Sequence, residues 1–238
     1  VVLSYLVMTQ KEIKLFANEK AFPAEVLDAL AKDGVTLLPY DSIYEYVKTF
    51  AKDMKVLLCK QKANSRLVSN IPAEVEILDE ENLTLLPKAI KNPVEVENER
   101  IAHIRDGVAL TKFIYWLKKN VGKIPMTELS AEEKLYSFRA QQENFIDNSF
   151  DPIISYGVHA AINHYSATPE TDIPIEPRSF LLADTGGNYY EGTTDTTRTI
   201  VMGPVTDEQK KFFTAVLRGM LNLGNAKFRY GCTGVNLD

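Results

Sequence analysis

The sequence predicts two successive mixed layers, an α/β domain over residues 1–90 and an α+β domain over residues 91–238. Three observations carry this reading. Strand-like and helix-like runs alternate up to about residue 90. A helix start at Asn92-Pro93 breaks that alternation. Further on, two strand-like runs flank Gly186, Gly187 and Gly192, the pattern of a β-hairpin.

In order, residues 3–9 and 13–17 read as strands joined by the polar Gln10-Lys11. A helix over 24–32 has Pro23 near its first turn and Gly34 past its end. Residues 35–38 form a buried strand, and Ser42-Ile-Tyr-Glu45 reads as a capping box opening a helix to about Lys52. Strands over 55–59 and 75–78 follow, with a short helix between them near 64–69. This part has no histidine and no glycine-rich phosphate loop. It reads as a scaffold, with Arg66, Lys60 and Lys62 as solvated surface and a role in assembly, such as a homodimer, left open.

Asn92 can cap, Pro93 suits the first helical position, and Glu95 favours the positive helix end. The helix runs to about Asn120, with Val94, Glu97, Ile101, Ile104, Val108 and Tyr115 marking a stripe near helical period. Ser130-Ala-Glu-Glu133 reads as a second capping box, opening a helix to about Gln142. Residues 152–156 and 160–164 read as strands around Gly157, and a polar loop over 166–178 leads to the hairpin. Thr206-Asp-Glu-Gln209 opens a last helix to about Phe228, with Phe212, Val216, Met220 and Leu223 on one face.

The 238 residues carry 27 Lys and Arg against 32 Asp and Glu, a net charge of −5. That balance exerts no general pull on nucleic acid or anionic membranes. No apolar run reaches the length needed to cross a bilayer. Cys59 and Cys232, the two cysteines, offer no disulfide framework and no metal-type spacing, so a reducing, cytoplasmic setting is the simplest reading.

The chemistry lies in the hairpin. With its reversal centred at Tyr189-Tyr190, Asp184 and Asp195 come out roughly opposite each other. Facing carboxylates repel, and a proton or a cation must sit between them. Oxygen-rich side chains on rigid strands are half of a site for hard divalent ions.

The run Asp184-x-Gly-x-x-Tyr-x-x-Gly192-Thr-Thr-Asp195-x-Thr-Arg-Thr199 resembles the metal-binding hairpin of aminopeptidase P, the Xaa-Pro aminopeptidases of the pita-bread metallopeptidases, family M24. The likeness continues through Gln141-Gln142, Ser149-Phe150 and Ala161-Ile-Asn-His164-Tyr165, and more loosely before Lys91. It implies a creatinase-like, non-catalytic α/β domain, incomplete at its N-terminus with residues expected before Val1, followed by the first half of a pita-bread catalytic domain. The implied activity is release of the N-terminal residue before proline by metal-activated hydroxide. The implied cofactors are two divalent ions, Mn²⁺ by preference with Co²⁺ or Zn²⁺ as substitutes, and the implied partner is a proline-containing peptide. Asp184 becomes a chelator of one ion and Asp195 a bridge to both. His164 is implied to line the substrate pocket, although Asn163 departs from the apolar residue usual before it. Phe150 stands between pocket wall and core packing. His159 carries no role from the family.

The family's site also needs a histidine and two glutamates further along, yet no histidine follows His164 and only Glu208 follows Asp195 among glutamates. The remaining ligands and the general base are therefore expected beyond Asp238, and the chain alone is expected to be inactive. Prolidase and a non-catalytic, peptide-binding pita-bread domain are the alternatives.

Overall fold

The computed structural model describes residues 2–237. It divides into two compact units, Val1–Ile90 and Lys91–Asp238.

In the first unit β1 (Ser4–Met8) pairs antiparallel with β2 (Ile13–Ala17). After α1 (Ala24–Lys32), β3 (Val35–Pro39) returns parallel to β2, the crossover that a helix permits. The short α2 (Ile43–Tyr46) leads to β4 (Lys55–Leu58), α3 (Ser65–Asn70) and β5 (Glu76–Asp79), with β4 and β5 parallel. Phe16, Ile43, Val47, Ile71 and Val75 form the core. Asn64 caps α3 by accepting from the Leu67 N–H at 2.9 Å. The capping box expected at Ser42 does not form. Ser42 lies inside a 3₁₀ turn over Tyr40–Ser42 and donates its hydroxyl back to the Pro39 carbonyl at 2.6 Å, so it is not free to cap. The helix there ends early, in a second 3₁₀ turn over Val47–Thr49. A one-turn helix, α4 (Leu85–Ala89), closes the unit.

The second unit begins with α5 (Pro93–Asn120), where Asn92 and Glu95 complete a capping box and Pro93 sits in the first turn. Its buried face is Ala102, Asp106, Ala109, Leu110, Phe113 and Leu117, whereas Val94, Ile104, Val108 and Tyr115 of the expected stripe are exposed. The stripe misleads because the buried face mixes Leu110, Phe113 and Leu117 with two alanines and a charged Asp106, which hydropathy does not mark. Next comes α6 (Glu128–Arg139), which starts earlier than expected. Thr127 is the cap, and Ser130, read from sequence as the cap, is the reciprocal third residue of the box.

β6 (Phe145–Asn148) pairs with β9 (Gly187–Tyr189), and β7 (Ile153–Tyr156), β8 (Phe180–Thr185) and β10 (Thr196–Val201) form an antiparallel sheet with β8 central. The expected strand over 160–164 is absent. Residues Gly157–Ala161 form a 3₁₀ turn, and His164 has φ 56°, a left-handed backbone that no strand accommodates. One face of the sheet, with Ile154, Tyr156, Leu181, Ala183 and Ile200, packs on Phe113 and Leu117 of α5 and Leu135 of α6. The last helix, α7 (Asp207–Gly224), has the expected Thr206–Gln209 box but stops at Asn225. Phe212, Val216, Met220 and Leu223 are all exposed.

Beneath the hairpin lies a buried polar network. Arg139 donates Nε to Asp106 Oδ1 at 2.7 Å and Nη2 to Thr185 Oγ1 at 2.9 Å, and the Tyr189 hydroxyl donates to Asp106 Oδ1 at 3.0 Å. These bonds fasten α5, α6, β8 and β9 together and compensate much of the cost of burying a charge pair, with Arg139 Nη1 alone of the guanidinium nitrogens left without a partner among the described residues. Among the described residues no helix is long and apolar enough to cross a membrane.

Candidate functional site

The hairpin reverses at Tyr190-Glu191, where Tyr189 and Gly192 exchange backbone hydrogen bonds of 2.8 and 3.2 Å. Arg105 and Asn144 both donate to Glu191 Oε1 and pin this turn. These bonds, Asn144 first, hold the Glu191 carboxyl below its usual range. Gly186 is required by close approach rather than by a left-handed backbone. A Cβ there would lie 1.9 Å from the Thr194 carbonyl oxygen and 2.2 Å from Ser149 Oγ. Ser149 uses that proximity, donating its hydroxyl to Thr194 O at 2.9 Å and its N–H to Gly186 O at 3.1 Å.

The reversal is one residue later than the sequence suggests, which moves the strand register by two. Asp184 pairs with Thr197, and Asp195 lies just before β10 instead of opposite Asp184. An even shift keeps the face. Thr197 Oγ1 donates to Asp184 Oδ1 at 2.7 Å, so these two side chains share a side, and Asp195 is placed there by the two-residue period. Arg198, of opposite parity, donates to the Thr197 carbonyl at 2.7 Å instead of neutralising either aspartate. Asp184 is half-buried and Asp195 exposed. Asp184, oriented by a hydroxyl, thus lies on the sheet face turned away from the helices, and Asp195 has the parity of Thr197 just outside β10.

The other candidates come to this face unequally. Phe150 is half-buried and follows Ser149, so the bonds of Ser149 to Gly186 and Thr194 hold it at the aspartate end of the sheet. His164 is exposed, on the connection that leaves β7 beside Leu181, the opposite end of β8 from Asp184. A cleft of about 430 Å³ opens along the face, lined by Gly157, Ala160, Phe180, Leu182, Thr199 and Gln209. Leu182 and Thr199 stand two residues along their strands from Asp184 and Thr197.

Sequence reasoning missed Thr197 as a partner of Asp184, although its place in the Thr-Arg-Thr run marks a strand position of the same parity as Asp195. It also missed Glu128. This glutamate, fully buried at the first position of α6, accepts from the Tyr156 N–H at 2.7 Å and from the Tyr165 hydroxyl at 3.2 Å. His159 Nδ1 lies 3.0 Å from its Oε2. Burial raises the Tyr165 phenol above its usual pKa, and the Glu128 charge adds to the shift against the Thr171 hydrogen bond. No sequence signal joins Glu128 to these partners, since the pairing is made by tertiary packing alone.

The donor set suits a hard divalent cation in kind, because both side chains offer carboxylate oxygens. It does not suffice in number, for among the described residues no group of three or more His, Cys, Asp or Glu comes together.

Comparisons with known proteins place the chain among the Xaa-Pro aminopeptidases and their relatives in sequence and fold. The chain is 36% identical over 253 residues to a probable Xaa-Pro aminopeptidase P of Ajellomyces capsulatus, covering 100% of this chain and 41% of that protein. A probable Xaa-Pro aminopeptidase P of Paracoccidioides brasiliensis is 35% identical over 252 residues, with the same 100% and 41% coverage. The chain thus spans about two fifths of the length of these curated relatives. Among solved structures, an X-prolyl aminopeptidase of Caenorhabditis elegans, described as a cytosolic enzyme with a dinuclear active site, superposes with a TM-score of 0.90 at 29% identity. That match covers 100% of this chain and 40% of the nematode chain. A prolidase of Pyrococcus furiosus shares the fold, with a TM-score of 0.69 at 21% identity over 92% of this chain and 62% of its own. The creatinase/prolidase N-terminal domain matches residues 1–95, metallopeptidase family M24 matches residues 97–238, and the chain belongs to metallopeptidase family M24.

Proposed function

We propose that this chain forms part of a metal-dependent aminopeptidase that releases the N-terminal residue from peptides with proline in second position. The observation that carries the reading is the placement of Asp184 and Asp195 on one open sheet face beside a cleft. On this reading residues 1–90 are a non-catalytic domain and residues 91–238 the beginning of the catalytic one. The other metal ligands come from protein outside this chain.

Asp184 and Asp195 hold two divalent ions, Mn²⁺ by preference because the ligands are carboxylates, with Co²⁺ or Zn²⁺ as substitutes. When bound, such ions supply Lewis acidity toward the peptide carbonyl and lower the pKa of a water molecule. The chain's own residues bind and orient. Thr197 fixes the Asp184 carboxylate, the cleft along Leu182 and Thr199 takes the peptide, and Phe150 and His164 contact the proline-bearing substrate. Two free cysteines, Cys59 and Cys232, fit the reducing cytoplasm, the compartment reported for the nematode enzyme.

The test uses the full-length protein, stripped of metal by chelation and reloaded with Mn²⁺. Metal-dependent release of the first residue from an Xaa-Pro-Xaa tripeptide is expected. Cleavage confined to Xaa-Pro dipeptides would favour a prolidase. Retained Mn²⁺ binding with no cleavage of either peptide would overturn the enzymatic reading in favour of a peptide-binding domain.

A further inference from the structure

The connection between β7 and β8 is long, polar and mostly exposed, yet one side chain gathers it. Glu128 is 0% exposed and stands at the N-terminus of α6, where the helix dipole favours a carboxylate. Its Oε1 takes the Tyr156 N–H at the point where the connection leaves the sheet. Its Oε2 takes the Tyr165 hydroxyl nine residues later, and His159 Nδ1 approaches both oxygens at 3.0–3.1 Å. Donors converging on two oxygens suit a carboxylate, which only accepts, so His159 Nδ1 carries its hydrogen. The rings of His159 and Tyr165 lie 4.4 Å apart, centroid to centroid, closing the loop over the carboxylate.

Within that closed loop the backbone turns tightly. The Ile162 N–H donates to His159 O at 3.0 Å, and the Tyr165 N–H donates to Ile162 O at 3.3 Å. His164, between these bonds, holds φ 56°, a left-handed conformation that side-chain-bearing residues keep only when their surroundings impose it. The far arm of the connection is tied to the same helix end. The Leu129 N–H donates to Asp172 Oδ1 at 3.1 Å, the Glu128 N–H to Ile173 O at 3.2 Å, and the Ile175 N–H to Met126 O at 2.9 Å. A buried carboxylate in a family that uses carboxylates for metal would suggest a ligand, but every bond Glu128 makes is to this loop and none is to the hairpin aspartates.

We infer that Glu128 is a positioning residue, which sets the place and strained backbone of His164 by clamping Tyr156, His159 and Tyr165 around itself. This rests on the reading of His164 as a substrate-contacting residue. Glu128 touches neither substrate nor metal and acts only through the loop. Tyr165 is the clamp's outer tether, adjacent in sequence to the residue it positions.

The experiment is a pair of double-mutant cycles in the metal-loaded full-length protein, reading kcat and KM on an Xaa-Pro-Xaa tripeptide, metal content and Tm. The variants are Tyr165→Phe, Glu128→Gln, His164→Ala and the two doubles with His164→Ala. Misplacing a substrate-contacting group costs up to about 100-fold, so Tyr165→Phe and Glu128→Gln are each expected to lower kcat/KM by roughly 10- to 100-fold with metal content unchanged. In the His164→Ala background the same changes should cost almost nothing further, because the group they position is gone. A purely structural Glu128 would give additive losses in both backgrounds, and that result overturns the inference while leaving the functional reading intact. Unchanged kcat/KM in both single variants overturns it as well. If His164→Ala itself leaves tripeptide cleavage at the wild-type level, the substrate role of His164 fails and the inference fails with it. Should Glu128→Gln not fold, Tyr165→Phe still decides, since it leaves Glu128 bonded to the Tyr156 N–H and to His159.

Discussion

Thr197 donates its hydroxyl hydrogen to Asp184 across β8 and β10 at 2.7 Å, and this bond orients the first of the two carboxylates on the open face. Outer hydrogen-bond partners of metal ligands govern affinity by holding the ligand in place. Thr197→Val keeps the shape and removes the donor. In the full-length protein it should weaken Mn²⁺ binding by about 10- to 100-fold with the fold intact, as measured by calorimetric titration beside a circular dichroism spectrum.

Asp195 is exposed, so replacing it should leave stability within about 0.5 kcal/mol of wild type. Its expected contribution is to the site alone. Asp195→Ala in the full-length protein should abolish release of the first residue from an Xaa-Pro-Xaa tripeptide and reduce bound metal. Normal turnover with normal metal content would remove Asp195 from the site.

Gly186 has backbone and side-chain atoms where a Cβ would stand, at 1.9 Å from Thr194 O and 2.2 Å from Ser149 Oγ. Relieving those contacts means parting the Ser149–Thr194 bond or the strands. Gly186→Ala should therefore destabilise the fold by about 1–3 kcal/mol, the usual cost of overpacking, read from the midpoint of a urea titration. A midpoint equal to wild type would show that the hairpin neck relaxes freely.

Burial, reinforced by the Asp106 carboxylate, raises the Tyr189 phenol above its ordinary pKa of 10.0. The folded chain then holds this proton more tightly than the unfolded chain. Its contribution is complete below about pH 10 and is lost progressively as pH rises above that value toward the higher folded pKa. Stability should fall above pH 10, and Tyr189→Phe should flatten that decline. Tyr156 and Tyr165 shift in the same direction, so some slope should remain. Chemical denaturation at pH 8, 9, 10 and 11 measures it, and an identical slope in the variant would exclude Tyr189 as its source.

Much of this chain was legible because its signals are local. The capping boxes at Asn92 and Thr206 need only residues three apart, and both form as written. The box at α6 was misread because Ser130 can serve as either the cap or the reciprocal third residue, and Thr127 took the first place. The hairpin was legible from its glycines and β-branched arms, and the face shared by Asp184 and Asp195 survived an error in the turn because the register moved by an even number.

The sequence by itself determined the family, through the likeness of its hairpin motif, and the order of most elements and the face of the hairpin, which are written in short-range periodicity and turn chemistry. Only tertiary structure decided which residue stands opposite Asp184, since register is fixed by where Tyr189 and Gly192 close the turn. It alone decided that α5 buries Asp106 rather than its apolar stripe, because the charge is satisfied by Arg139 and Tyr189 from distant elements. It alone drew Glu128 to Tyr156, His159 and Tyr165. A buried polar group is stable only with its partners, and partners so far apart along the chain are chosen by packing in three dimensions.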